Sequence, residues 1–287
     1  MEASREIQLS AGTIQYQDTG GDGPVIVFVH GLLATGALWS PILPALAGRT
    51  RCLVPELPLG AHRIPMRPDA DLSPRGVSRL LAEMLDQLDL RDVTVVANDT
   101  GGAISQLLVT EHPERIAKLV LTPSDCFDYF FPPQFKPLQL LSRIPGGLNL
   151  AIQLLRFKLV RNSPLGFGNV SKVGVPDELM RSALQPYLTN PGVRRDTQKF
   201  VRGVSKKDTL AAAERLRDFD RPVLLAWARE DKFFPVNLAE RLLERLPNGR
   251  LELIDDSYTF VPFDQPERLV ELVSEFVFGG AQAEVAP

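Results

Sequence analysis

The sequence predicts an α/β fold, a doubly wound and mostly parallel sheet with a helical cap inserted into one of its connections. Three observations lead there. Short apolar, β-rich runs alternate with longer segments of helical periodicity, the pattern of strand–helix–strand units. Several runs, "PVIVFVHG" at 24–31 among them, are continuously apolar and stopped by glycine, as strands covered on both faces are. One stretch, 125–220, breaks the alternation: it carries many of the prolines and reads as helices without a strong strand, which marks an insertion.

The elements follow in order. "TIQYQDTG" at 13–20 alternates like a half-exposed strand and ends in a turn, and "RCLVPELP" at 51–58 is a shorter buried run. "SPRGVSRLLAEMLDQLDL" at 73–90 is a helix, with Ser73 as N-cap, Pro74 just inside and leucines at helical spacing. "DVTVVAND" is a buried strand that leads into a helix over 100–111. "RIAKLVLTP" and "RPVLLAWA" are further strands, "PVNLAERLLERLPNG" a helix closed by Asn248-Gly249, and "RLELIDD" a strand. "DQPERLVELVSEFVF" is the last helix, opened by Asp264 as N-cap with Glu267 three positions on, a capping-box-like start. The core is thus expected over 1–124 and 221–280, the cap over 125–220 and a disordered tail over 281–287.

Composition narrows the function classes. With 287 residues, 44% hydrophobic and 23% charged, the chain is long enough for one large α/β domain. The net charge of −3 is interspersed, and the densest basic stretch, "GVRRDTQKFVRGVSKKD", reads as a solvated helix face, so no nucleic-acid partner is expected. Cys52 and Cys126 lack CxxC spacing and sit in or beside apolar runs, which suits a reduced, buried pair in a cytoplasmic protein. The N-terminus "MEASREIQLS" has no apolar leader-like region, and no apolar run of about 18 residues exists, so no membrane association is expected. The three histidines, His30, His62 and His112, show no paired spacing, so neither a metal nor another cofactor is expected. The partner implied is a small-molecule substrate; the oligomeric state is not written in the sequence.

Three pieces carry chemistry. "VHGLLATGALW" places His30-Gly31 at the end of a buried strand. "VANDTGGA" puts Asp99 between small residues where a strand turns into a helix, the pattern of a nucleophile elbow with Ala97 and Gly101 flanking a carboxylate. Small flanks are needed because so sharp a turn makes side chains collide. "AWAREDKFFP" sets Asp231 a few residues past a later strand. Each has a plainer reading: Asp99 as a turn residue capping the next helix, Asp231 as a helix-start carboxylate.

In this order, together with the insertion and the closing "DSYTFVPFDQPE", these motifs resemble the α/β-hydrolase superfamily over nearly the whole chain. The aspartate at the elbow resembles the haloalkane dehalogenase and epoxide hydrolase branch. That resemblance implies that Asp99 attacks an electrophilic carbon to give an enzyme-bound ester. It implies that the backbone N–H groups of Leu32 and Thr100 stabilise the oxyanion of the following hydrolysis. His30 lies beside that oxyanion hole, as a loop-shaping residue. The acid that orients the family's base is expected at Asp231, with Asp125, after "LVLTPSD", as competitor.

The sequence also departs from the family. Aligned on "VPFDQPE", the histidine position falls on Thr259, whose hydroxyl is no general base near neutral pH. His62, on a loop following a strand, is the stand-in base to test against its reading as a surface residue; His112 lies at the far end of the elbow helix. Thr100 and Leu32 replace the tryptophan and asparagine that hold halide in dehalogenases. Tyr129 and Tyr187 in the cap are candidates for the epoxide-protonating tyrosines or simple packing. Phe127, Phe130 and Phe131 suggest an apolar pocket. The expected function is a hydrolase acting on a small, mostly apolar electrophile of the epoxide, haloalkane or ester class. The alternatives are a non-hydrolytic lyase, isomerase or cyclase using Asp99 as acid or base, and a ligand-binding protein that has lost catalysis. Fold alone does not choose among them.

Overall fold

The apolar runs assemble into one eight-stranded sheet, in the order β1-β2-β4-β3-β5-β6-β7-β8. The structure is a computed structural model and describes residues 4–164 and 166–279; the tail expected at 281–287 lies outside them. The strands are β1 (Arg5–Leu9), β2 (Gly12–Asp18), β3 (Val25–Val29), β4 (Arg51–Pro55), β5 (Val93–Asp99), β6 (Ile116–Ser124), β7 (Val223–Ala228) and β8 (Gly249–Ile254). β1 and β2 pair antiparallel, and β2 joins β4 antiparallel. From β4 across to β8 every pairing is parallel. β5 and β7 are almost wholly buried, which is why they read as unbroken apolar runs.

The helices cover both faces. α1 (Leu43–Ala47) and α2 (Pro74–Gln87) precede β5; the hydroxyl of Ser73 accepts the Gly76 N–H at 3.2 Å, the cap that the sequence predicts. α3 (Thr100–Glu111) follows the elbow and is nearly all buried. Between β6 and β7 run α4 (Lys136–Leu141), α5 (Gly147–Gln153), α6 (Lys158–Arg161), α7 (Asp177–Thr189), α8 (Pro191–Gly203) and α9 (Lys206–Arg215). That segment adds no strand to the sheet among the described residues. α10 (Val236–Leu243), α11 (Val261–Asp264) and α12 (Pro266–Phe278) complete the chain. Among the described residues no helix is long and apolar enough to cross a membrane. Both cysteines are buried and free.

Two elements differ from the sequence reading. β1 is an edge strand whose residues are exposed except for Leu9 and half-buried Ile7, so it has little apolar pattern to read. Asp264 does not cap the last helix. It ends α11, and Gln265 flanks α12. Its carboxylate instead accepts the Ser171 hydroxyl at 2.6 Å and the N–H groups of Lys172 (2.8 Å), Val173 (3.1 Å) and Tyr258 (2.8 Å). A local cap offers a carboxylate one or two donors; the fold supplies four from elsewhere, and the larger set wins.

The chain leaves β3 to form β4 on one side, then crosses back to form β5 on the other. Loops that follow neighbouring strands therefore diverge at the β3/β5 pair. That crevice, at the carboxyl ends of the strands, is where open α/β sheets form sites.

Candidate active site

Asp99 sits in that crevice, at the junction of β5 and α3, with φ 55° and ψ −131°. A non-glycine residue held there costs roughly 1–3 kcal/mol, and the surrounding packing has to impose it. Two glycines make room. A Cβ on Gly101 would lie 2.4 Å from the Val29 carbonyl oxygen. A Cβ on Gly31 would lie 2.1 Å from Oδ2 of Asp99 itself, so the carboxylate occupies the space that the HG glycine leaves empty.

The backbone N–H groups of Thr100 and Leu32 lie near enough to the Asp99 carboxylate to stabilise its ionised form. Burial raises its carboxyl to about 7, and the nearby charge of Asp231 adds to the rise, while the two N–H groups offset part of it. Asp125 lies behind Thr100, whose hydroxyl donates to its Oδ2 at 3.0 Å. Its Oδ1 has no partner, and burial, together with the charge of Asp99, holds its carboxyl well above the ordinary range. Oδ1 of Asp231 accepts the N–H groups of Phe233 (2.7 Å) and Phe234 (2.6 Å). Burial raises this carboxyl to about 6. The Thr259 hydroxyl lies close enough to Asp231 to lower it slightly, yet Oδ2 of Asp231 and Oγ1 of Thr259 both lack a partner with hydrogen-bond geometry. None of the three carboxylates forms a salt bridge among the described residues.

A cavity of about 330 Å³ opens over Asp99. Leu32, Thr100 and Thr259 share its floor, Phe233, Phe234 and Phe260 form a wall, and residues from Phe131 to Val170 form the roof. Asp99 is the one ionisable side chain among the described lining residues. Such a site suits a mostly apolar molecule and presents it with one carboxylate, beside the polar side chains of Gln134, Thr100 and Thr259.

The remaining sequence candidates lie elsewhere. His30 is fully buried beneath the Gly31 loop: its Nε2 accepts the Leu57 N–H at 3.1 Å, its Nδ1 lies 2.9 Å from the Gly31 oxygen, and burial lowers it to about 4. It shapes the loop and does not reach the cavity. His62 is buried, with its Nε2 3.3 Å from Asp196 of α8 and its Nδ1 accepting the Gly60 N–H at 3.3 Å. It lines no part of the cavity, and neither does Tyr187, buried in α7, nor Tyr129. Asp125 and Asp231 stand just behind the lining.

Two residues that shape the site escape the sequence reading. Asn98 precedes Asp99 and donates through Nδ2 to the Thr259 carbonyl at 2.7 Å, to the Thr122 hydroxyl at 2.8 Å and to the Pro123 carbonyl at 3.3 Å. It fixes the Thr259 loop against the elbow. An amide inside an otherwise apolar strand was a legible signal; its partner 161 positions away was not. Asp264 is the other, binding the same loop to residues 171–173.

Residues 24–266 match the family model described as alpha/beta hydrolase fold. The chain is 27% identical over 285 residues to haloalkane dehalogenase 2 of Mycobacterium bovis, covering 95% of itself and 94% of that protein. It is also 27% identical over 283 residues to a cis-3-alkyl-4-alkyloxetan-2-one decarboxylase of Xanthomonas campestris, covering 92% of each. An alpha/beta hydrolase fold protein of Burkholderia ambifaria superposes with a TM-score of 0.79 at 22% identity, over 95% of this chain and 97% of that one.

Proposed function

The chain belongs to the alpha/beta hydrolase fold family, and on that footing we propose that Asp99 attacks a small, mostly apolar electrophile of the haloalkane, epoxide or ester class. One observation carries this: a lone carboxylate, with two backbone N–H groups near it, faces a mostly apolar cavity. In the haloalkane case a carboxylate oxygen bonds to carbon, the carbon–halogen bond breaks, and halide leaves with the electron pair. In the epoxide case the carbon–oxygen bond breaks and the alkoxide takes a proton. Asp99 is then an alkyl ester. Water attacks its carbonyl, and the N–H groups of Leu32 and Thr100 hold the charge that develops on oxygen. The helices between β6 and β7 act as a cap that keeps the cavity apolar. A relative named as a haloalkane dehalogenase supports this substrate class.

A second reading, non-hydrolytic, is favoured by the wall itself: no imidazole faces the cavity, and Thr259 stands where the resemblance puts one. A carboxylate without a water-activating base suits elimination or isomerisation, and another relative is named as a decarboxylase of oxetan-2-ones.

Intact-mass measurement after exposure to a panel of haloalkanes and epoxides tests both. The expected result is a covalent adduct on the wild type that Asp99→Asn does not form. Steady release of alcohol or diol favours hydrolysis; a persistent ester means that Asp99 attacks and that the ester is not cleared. Neither adduct nor product across the panel overturns the nucleophile assignment and leaves the second reading, or, where ligand binding is retained, a binding protein.

A further inference from the structure

We propose that the outer face of α4–α6 docks on an anionic phospholipid bilayer, with the mouth of the cavity turned toward the lipid. Six large hydrophobic side chains between residues 140 and 159 point into solvent: Leu140, Ile144, Leu150, Leu154, Phe157 and Leu159. Leu150 is 66% exposed and Leu159 is 88% exposed. Beyond them, Val173 and Leu210 are the other large hydrophobics left exposed among the described residues. α4, α5, the turn 154–156 and α6 pack one on the next, so these side chains stand on adjoining elements. Scattered exposed leucines are ordinary, but a concentrated patch marks a partner.

The charge around the patch says which partner. From Tyr129 to Pro176 the chain has no Asp or Glu, yet it has six cations, Lys136, Arg143, Arg156, Lys158, Arg161 and Lys172. Arg161 is buried and bonded to Asp177, and Lys172 pairs with Glu230 and Asp256. Lys136, Arg143, Arg156 and Lys158 are exposed and make no salt bridge among the described residues, although Lys158 lies near enough to Asp177 to be felt there. Apolar side chains ringed by unpaired cations fit a surface that has both a hydrocarbon interior and anionic headgroups. A second copy of the chain fits worse: a two-fold contact on this face sets the same four cations against their own images.

The cavity opens at this face. Leu154 lines it and is 44% exposed, and Pro137 on the lining is exposed as well. An apolar substrate dissolved in a bilayer would reach Asp99 without crossing water. The docking surface is independent of what Asp99 does, and its test reads binding alone.

Cosedimentation with phosphatidylcholine vesicles, with and without phosphatidylglycerol, tests it. The expected result is binding to the anionic vesicles that weakens with salt. The combined substitution Leu150→Asp, Phe157→Asp and Leu159→Asp abolishes it. Neutralising Lys136, Arg143, Arg156 and Lys158 to Gln lowers partitioning on the order of 10³-fold while leaving circular dichroism unchanged. Absence of binding to either vesicle, or binding that both variants retain, overturns the proposal. So does a dimer in light scattering that the Asp variant dissociates, without vesicle binding by the wild type.

Discussion

The floor and the roof of the cavity are built on opposite electrical principles. On the floor, Asp99, Asp125 and Asp231 crowd the carboxyl ends of β5, β6 and β7, buried and without a cation in contact. In the roof, 48 residues from Tyr129 to Pro176 carry six cations and no acid. The floor is held by rigid strands and long-range amide bonds such as those of Asn98; the roof is a chain of short helices with apolar side chains on both its inner and its outer surface. The difference separates two tasks. On the proposed function, reactivity needs a carboxylate whose ionised form is poorly solvated, and the sheet edge offers one buried and without a cation in contact. Access needs an apolar route, and the helices supply that.

The hardest blow to the floor's side of this contrast is to furnish the missing base. Thr259→His is expected to speed decay of the Asp99 ester ~10²–10⁴-fold, the usual worth of a general base, followed by intact mass after excess substrate is removed. Asp231→Asn in the same background removes the gain, because the carboxylate then no longer orients the ring. Decay unchanged by Thr259→His shows that Asp231 does not address that position. Fast decay already present in the wild type shows that a base operates; if His62→Ala abolishes it, His62 acts despite its place behind the cavity wall.

Next in size is the pH dependence of alkylation. Only the ionised carboxylate attacks, and burial sets its carboxyl at about 7. The rate of adduct formation therefore rises about tenfold per pH unit below that value and levels off above it. Asp231→Asn moves the midpoint downward, since it deletes a neighbouring negative charge. A profile that is already flat from about pH 5 upward would mean that water or a cation reaches Asp99.

The smallest effect is on stability. The Asp99 carboxyl is raised from 3.8 to about 7 on folding, so between those values the folded state binds more protons than the unfolded one. Stability contributed by the protonated group is complete below the unfolded value and is lost as pH rises to the folded value, by at most about 1.4 kcal/mol per pH unit. Asp99→Asn does not titrate and escapes the loss. Urea unfolding is expected to find the variant more stable than the wild type at pH 8 and much closer to it at pH 4. An equal gap at both values refutes the desolvated-carboxylate picture.

Much of the floor was legible because its signals are local. β3 and β7 are unbroken apolar runs, β5 and β6 are largely apolar, and the elbow is marked by small residues whose absence of bulk the backbone requires. The roof was legible only as an interruption. Its helices are short and follow no single period, and its basic, apolar character vanishes in a whole-chain charge of −3. Residues whose role lies in distant partners stayed hidden: Asp264 reads as a cap because its neighbours resemble a helix start, and nothing near it in sequence announces Ser171 or Lys172. His62 reads as a free loop residue because Asp196 is 134 positions away.

The bonds that converge on Asp264 also decide how the molecule can move. The edge of the roof at 170–173 is latched to the Thr259 loop by the Ser171 hydroxyl, the Lys172 and Val173 amides, and the Phe260 amide on the Val170 carbonyl. α4 is tied to α8 through Gln198 and Arg202, both donating to the Ser142 carbonyl. Among the described residues α5 shows no such tether; its long-range hold is Leu148 and Ile152 seated among apolar neighbours. The frame is thus bolted on two sides, and the leaf that swings most cheaply is α5, the helix between the cavity and the outside. On the proposed function, exchange of reactant and product turns on slipping two hydrocarbon side chains, Leu148 and Ile152, from their seats.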